Sequence, residues 1–190
     1  MAARARNTVR VIGGQWRRRR LSFPDLPDLR PTPDRVRETL FNWLGQDLTG
    51  LACLDLFAGS GALGFEAASR GAKPVVLVEK DAQALHALQA NKDLLGAAQV
   101  QVVRGDGPGF LGSDDRRYDV VFLDPPYRLD LLPRVLPALA PRLARGARVY
   151  LEAARLPDLP PGYAVLRELG AGQVRSLLLE WTPSPNGPHP

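Results

Sequence analysis

Residues 118–127 read Tyr-Asp-Val-Val-Phe-Leu-Asp-Pro-Pro-Tyr. Val120, Val121, Phe122 and Leu123 form a short apolar run between polar residues, and such a run predicts a buried strand. It stops at Asp124-Pro125-Pro126-Tyr127. Two consecutive prolines have fixed φ and donate no backbone N–H, so the turn is stiff. It holds a carboxylate, two carbonyls and an aromatic ring at the C-terminal edge of a strand, which is the edge where open α/β sheets bind ligands.

Such a turn suits one kind of chemistry. Asp124 and the Pro125 carbonyl can each accept a hydrogen bond, and an exocyclic amine on a planar base offers two N–H donors. Tyr127 can stack on the base, a contact of roughly 1–3 kcal/mol. The amine is a poor nucleophile because its lone pair is delocalised into the ring. Two fixed acceptors can pyramidalise it and favour the charge that develops as it attacks. The plainer alternative is a strand-to-helix turn with an N-cap Asp and a proline at the first helical position.

Upstream, residues 51–58 (LACLDLFA) predict the first core strand. Gly59-Ser60-Gly61-Ala62-Leu63-Gly64 follows, and a helix runs on to about residue 70. Strand, glycine loop and helix form a ligand cradle, because glycines admit close approach and the helix start presents free N–H groups. The loop satisfies G-x-G-x-x-G, and Glu79 lies 20 residues after Gly59, which fits a dinucleotide site. Asp55 opposes that reading. A carboxylate four residues before the first glycine repels a pyrophosphate but suits the ammonium of an amino acid. A nucleoside carrying an amino acid, S-adenosylmethionine, fits better. Glu79 then accepts from the ribose hydroxyls and Asp106 from the adenine amine, with Asp106 as a simple turn residue the competing possibility.

The other elements follow from pattern. Residues 73–78 and 99–103 predict the second and third strands, the former ending at Glu79 and the latter leading to Asp106. Asp81 caps a helix through residue 95, and residues 107–114 form a short helix or loop. Residues 129–145, with prolines at 133, 137 and 141, predict a broken helix. Residues 146–151 are a fifth strand, and residues 163–169 and 173–181 a C-terminal antiparallel hairpin. Near the N-terminus, Thr32 or Asp34 offers an N-cap for a helix to about residue 44 with Leu40, Phe41, Trp43 and Leu44 in the core. Arg35 and Arg37 cannot both follow these side chains inward.

Charge is uneven. Residues 1–37 hold ten arginines against three acids, a net of +7, whereas the remaining 153 residues carry 15 basic and 17 acidic groups. The surplus is the footprint expected for a phosphate-bearing partner. Residues 1–8 predict a mobile basic arm. Residues 9–21 predict a β-hairpin turning at Gly13-Gly14, with Arg10, Arg17, Arg18, Arg19, Arg20 and Trp16 outward, a set suited to RNA backbone and stacked bases. A solvated charge run is the bland alternative. Residues 24–33 are a proline-rich linker. Cys53 is the only cysteine, and with two distant histidines no metal site is indicated. No run reaches about 18 apolar residues, and no secretory signal is seen. A cytoplasmic monomer is expected.

Several stretches carry a family resemblance: VIGGQWRRRRL, LRPTPDRVRETLFNWL, LDLFAGSGALGFEAASRGA, VEKD and FLDPPY, in that order. The chain resembles the bacterial family of 16S rRNA guanine-N2 methyltransferases that act on guanine 966. DPPY alone is shared with other amino-group methyltransferases. The resemblance implies a Rossmann-like class I methyltransferase fold: an α/β, seven-stranded, mostly parallel sheet with helices on both faces and an N-terminal hairpin. It implies an arm and hairpin over residues 1–30, a methyltransferase domain over 31–182 and a disordered tail over 183–190. S-adenosylmethionine is the implied cofactor, held by Thr32, Asp55, Phe57, Gly59, Ser60, Gly61, Glu79, Lys80, Asp106 and Gly107. Arg30 to Thr32 and Asp34 are implied to help close that site. Asp124, Pro125, Pro126 and Tyr127 are the catalytic set, and 16S rRNA or the assembling 30S subunit is the partner. The competing readings are an adenine-N6 methyltransferase on DNA or RNA, and an RNA-binding assembly factor without catalysis.

Overall fold

The computed structural model describes residues 7–27 and 29–183, with the backbone alone at Tyr127 and Ala171. The arm expected over residues 1–8 and the tail expected over 183–190 therefore fall largely outside the described residues. An antiparallel pair opens the fold, β1 (Asn7–Arg10) and β2 (Arg20–Phe23). Helix α1 (Asp34–Leu44) follows. Then come β3 (Cys53–Asp55), α2 (Ala62–Ser69), β4 (Val75–Glu79), α3 (Ala82–Leu95), β5 (Val100–Arg104), α4 (Gly107–Ser113) and β6 (Tyr118–Leu123). The chain finishes with α5 (Leu132–Leu139), β7 (Leu143–Ala153), β8 (Tyr163–Ala171) and β9 (Val174–Trp181).

The seven strands of the main sheet stand in the order β5-β4-β3-β6-β7-β9-β8. β3, β4, β5, β6 and β7 pair in parallel, and β9 joins β7 and β8 antiparallel. From β3 the chain winds outward to β5, then returns to place β6 on the other side of β3. That reversal opens a crevice at the C-terminal ends of β3 and β6. The strands at the centre are buried on both faces, which is why their sequences run apolar without alternation. On one face Val75, Leu77 and Phe122 pack with α1, α2, part of α3 and the hairpin. On the other Val76, Val78, Val121 and Leu123 pack with α4 and α5.

Several expectations need correcting. α1 starts after Pro33 and has no side-chain cap; Asp34 is its first residue and pairs with Arg37 at 2.5 Å and Arg10 at 2.6 Å. The turn between β1 and β2 is longer than Gly13-Gly14. Val11 and Arg19 still bond across it, and the chain between them loops over α2. The broken helix proves to be α5, with Pro133 in its first turn and Pro137 inside, flanked by 3-10 turns at Tyr127–Leu129 and Ala140–Arg142. Cys53 is buried, as its strand position requires, and burial pushes its thiol pKa up. Among the described residues no helix is long and apolar enough to cross a membrane.

The hairpin is not a detached extension. Val9, Val11, Trp16, Leu21 and Phe23 belong to the same apolar cluster as β3 and β4. Glu66, wholly buried on α2, accepts the Ile12 and Gly13 N–H groups at 2.8 Å each and pairs with Arg70 at 2.8 Å and Arg37 at 3.5 Å. Ser69 Oγ accepts from Trp16 N–H, and Asn91 on α3 bonds both backbone groups of Ser22. Arg37 is also wholly buried and donates to the Thr32 and Arg10 carbonyls. Of the two arginines that could not both point inward, Arg37 does and Arg35 is exposed.

Candidate active site

The crevice holds a cavity of about 560 Å³, inside the usual range of roughly 300–1,000 Å³ for small-molecule sites. Segments after four parallel strands line it: residues 55–60 and 62–63 after β3, 78–81 at β4, 105–107 after β5 and 124–126 after β6. Each strand ends where the sheet stops pairing, so each presents its next residues to the same space. Of the expected cofactor residues, Thr32, Asp55, Phe57, Gly59, Ser60, Glu79, Lys80, Asp106 and Gly107 all line this cavity, as do Asp124, Pro125 and Pro126.

The glycine loop explains its own sequence. Gly61 has φ +77°, a left-handed backbone that disfavours side chains, and a Cβ there meets Leu88 and Phe65. Gly61 shapes the turn between the cavity-lining Ser60 and Ala62. A Cβ on Gly64 falls 2.0 Å from a Leu77 methyl, so this glycine lets α2 pack directly on β4. The Asp55 carboxylate accepts the Gly64 N–H at 3.0 Å and the Phe57 N–H. Burial pushes its pKa up to about 7, against the pull of those two N–H groups, and Glu79 nearby raises it further. A buried carboxylate held this way favours a cation beside it.

Glu79 ties the rim together. One oxygen accepts the Gly59 N–H at 2.9 Å and the other the Lys80 and Asp81 N–H groups at 2.8 Å. Each carboxylate oxygen has two lone-pair sites, so the group facing the Gly59 N–H can take a further hydroxyl donor. Asp106 caps α4 through Gly109 N–H at 2.8 Å. The turn role considered for it is therefore real, and its place on the cavity wall is compatible with a second bond. Carboxylates at the ends of β3, β4 and β5, with Phe57, Leu63 and Val78 between them, fit a ligand bearing an ammonium, a ribose diol and an adenine.

The proline-rich segment is more than a linker. Leu26, Pro27, Leu29, Arg30, Pro31 and Thr32 form one wall of the cavity. Arg37 fixes that wall by donating to the Thr32 carbonyl at 3.0 Å. This pairing is invisible in local sequence pattern, where the spacing shows only that Arg35 and Arg37 cannot both point inward. The side chain of Tyr127 lies outside the described residues.

The basic face divides. Arg17, Arg18, Arg19 and Arg20 are exposed on the hairpin, whereas Arg10, though exposed, is engaged with Asp34. Trp16 is the correction: it is 6% exposed and packs in the core under the hairpin loop, so it presents no face for a stacked base. A tryptophan beside four arginines reads as an interface aromatic, but the hairpin needs an inward anchor, and Trp16 supplies it.

The sequence profile of the family described as Conserved hypothetical protein 95 matches residues 9–180. The ribosomal RNA small subunit methyltransferase D of Escherichia coli is 45% identical over 171 residues, covering 87% of this chain and 86% of that protein. Its namesake from Haemophilus influenzae is 39% identical over 178 residues, 90% of this chain and 92% of the relative. Among solved structures, a putative methyltransferase of Escherichia coli superposes with TM-score 0.85 at 42% identity, covering 94% of this chain and all of the other. A Thermus thermophilus 16S rRNA N2 G1207 methyltransferase, solved with AdoMet and guanosine, superposes at TM-score 0.69 over 93% of this chain and 50% of its own, at 23% identity, a likeness of fold. The architecture is thus that of a class I methyltransferase.

Proposed function

The chain belongs to the Conserved hypothetical protein 95 family, alongside the ribosomal RNA small subunit methyltransferases D, and from that premise we propose that it methylates the exocyclic N2 amine of a guanine in 16S rRNA. The methyl donor is S-adenosylmethionine. The observation that carries the reading is the position of Asp124-Pro125-Pro126: the turn ends β6 beside the switch point and walls the cavity whose other rims carry Asp55, Glu79 and Asp106. Guanine 966 is the nucleotide proposed, and the assembling small subunit the partner.

The chain's own part is binding and orientation. Asp55 faces the ammonium, Glu79 the ribose hydroxyls and Asp106 the adenine amine. When bound, the cofactor supplies an electrophilic methyl on a sulfonium, which the amine nitrogen takes as the carbon–sulfur bond breaks. Asp124 and the Pro125 carbonyl accept hydrogen bonds from the two amine N–H groups and turn the nitrogen lone pair out of conjugation; as the N–C bond forms, the nitrogen sheds one of these protons toward Asp124 and on to solvent. Positioning of this kind replaces a bimolecular encounter by a held geometry. The base must leave its stack to reach the turn. The exposed Arg17 to Arg20 meet rRNA phosphates.

Asp124→Ala tests the role of the turn. Removing one acceptor aimed at developing charge should lower kcat about 10²–10³-fold, with S-adenosylmethionine affinity retained. Asp124→Asn keeps an acceptor oxygen and should recover part of the loss. Parental turnover in Asp124→Ala contradicts the amine-orienting role.

A further inference from the structure

A second carboxylate stands beside Asp124. β6 and β7 run parallel with Phe122 opposite Tyr150 and Leu123 opposite Leu151, so the next residues in that register are Asp124 and Glu152. Glu152 is only 6% exposed. Its Oε1 accepts the Tyr150 hydroxyl at 2.7 Å. The Ser176 hydroxyl bonds the Tyr150 oxygen in turn, and Ser176 is the β9 residue opposite Glu152. Hydrogen bonds chained in this way fix the orientation of a buried carboxylate. The methyl transfer derived above makes no use of it.

Glu152 also lines a space of its own. A cavity of about 190 Å³ opens between Pro125, Pro126, Leu131, Glu152 and Arg155. Pro125, Pro126 and Leu131 line the cofactor cavity too, so the two prolines of the turn are a wall common to both, with Asp124 on the cofactor side and Glu152 on the other. The smaller space falls below the roughly 300–1,000 Å³ of a whole-ligand pocket and suits a single planar base. Such a base, entering from this side, meets the cofactor cavity across the turn.

We infer that Glu152 reads the Watson–Crick edge of the target base, accepting the N1–H of guanine while Asp124 and the Pro125 carbonyl hold the adjacent N2 amine. The inference rests on the guanine-N2 reading above. Guanine presents N1–H and the N2 amine as neighbouring donors, and a carboxylate accepts from the first. Adenine presents a lone pair at N1. Against Glu152 that lone pair is repelled, and the buried carboxylate loses a donor, a penalty that rejects the wrong base. Glu152 is thereby a specificity residue.

The test uses a base with the same amine but no N1–H. Small subunits are reconstituted with 16S rRNA carrying guanine or 2-aminopurine at the methylated position, and kcat/KM is measured on each. The parent enzyme should favour guanine by on the order of 10- to 100-fold, the usual worth of a charge-assisted hydrogen bond. Glu152→Gln, whose amide can donate to a bare N1, should narrow the ratio to within about 3-fold, with S-adenosylmethionine affinity unchanged. Tyr150→Phe removes only the hydroxyl that aims the carboxylate and should narrow the ratio by a smaller factor. It decides the matter if Glu152→Gln loses cofactor binding. A guanine preference equal to the parent's in both variants overturns the assignment of Glu152 alone. Methylation of adenine in place of guanine by the parent enzyme overturns the guanine reading on which it stands.

Discussion

If Asp55 faces the cofactor's ammonium as proposed, cofactor binding rises and falls with pH in a definite direction. Its ordinary pKa of 3.8 is pushed up to about 7 by burial beneath the glycine loop. At 1.36 kcal/mol per pH unit, keeping it ionised in the empty protein costs about 4 kcal/mol. The folded protein therefore holds a proton here that the unfolded chain releases near pH 4. Between about pH 4 and pH 7 this group's contribution to stability falls as pH rises, and above pH 7 it is constant. An ammonium beside the carboxylate reverses the preference, so binding below pH 7 must expel the proton. Affinity should rise with pH by up to tenfold per unit until about pH 7, which makes the difference between pH 5.5 and pH 7.5 about 30-fold. It should fall again once the cofactor's own α-amino group, with an ordinary pKa of about 7.7–8.0, loses its proton. Isothermal titration at several pH values, in two buffers of different ionisation enthalpy, measures affinity and proton release together. Asp55→Asn keeps an acceptor for the Gly64 N–H and should abolish the acid limb. Equal affinity at pH 5.5 and 7.5 without proton release, or the same slope in Asp55→Asn, refutes the ammonium assignment.

Three further outcomes concern the hairpin. Glu66→Ala takes one of two carboxylates from the wholly buried Arg37, which keeps Asp34, removes the carboxylate paired with Arg70, and leaves the Ile12 and Gly13 N–H groups without their acceptor; it should cost about 3–5 kcal/mol, read by denaturant unfolding, and a loss below 1 kcal/mol contradicts the clamp. Replacing Arg17 to Arg20 with alanine should lower affinity for small subunits and flatten its salt dependence, by roughly 0.7–0.9 in log–log slope per lost phosphate contact. Trp16→Ala should instead lower stability, by about 3–5 kcal/mol for an emptied core site. Parental binding at every salt concentration by the quadruple variant removes the hairpin from RNA recognition.

The site was largely legible because its signals are local. An apolar run closed by Asp-Pro-Pro, a glycine loop after a strand, and acids at strand ends are each read within a few residues. Parallel strands then bring their C-terminal ends to one edge, and Asp55, Glu79, Asp106 and Asp124 meet there. What stayed hidden depends on partners distant in sequence. Glu66 meets Ile12 and Gly13 across more than fifty residues, and no local period marks that pairing. Trp16 has arginines on one side and a core on the other, and composition shows only the arginines. The proline-rich segment reads as a linker because its wall-forming role needs Arg37 beneath it. Glu152 ends a strand as the other acids do, but its neighbours Tyr150 and Ser176 come together only through the β7–β9 pairing.

The identity of the methylated atom can be measured directly. Small subunits from a strain lacking the enzyme are incubated with the purified protein and S-adenosylmethionine labelled at the methyl group, and the rRNA is digested to nucleosides for mass spectrometry with the modified position mapped. Label is expected in N2-methylguanosine at one position of 16S rRNA, and is expected to be lost with Asp124→Ala. Label in N6-methyladenosine, or no transfer to 16S rRNA at all, contradicts the guanine-N2 reading.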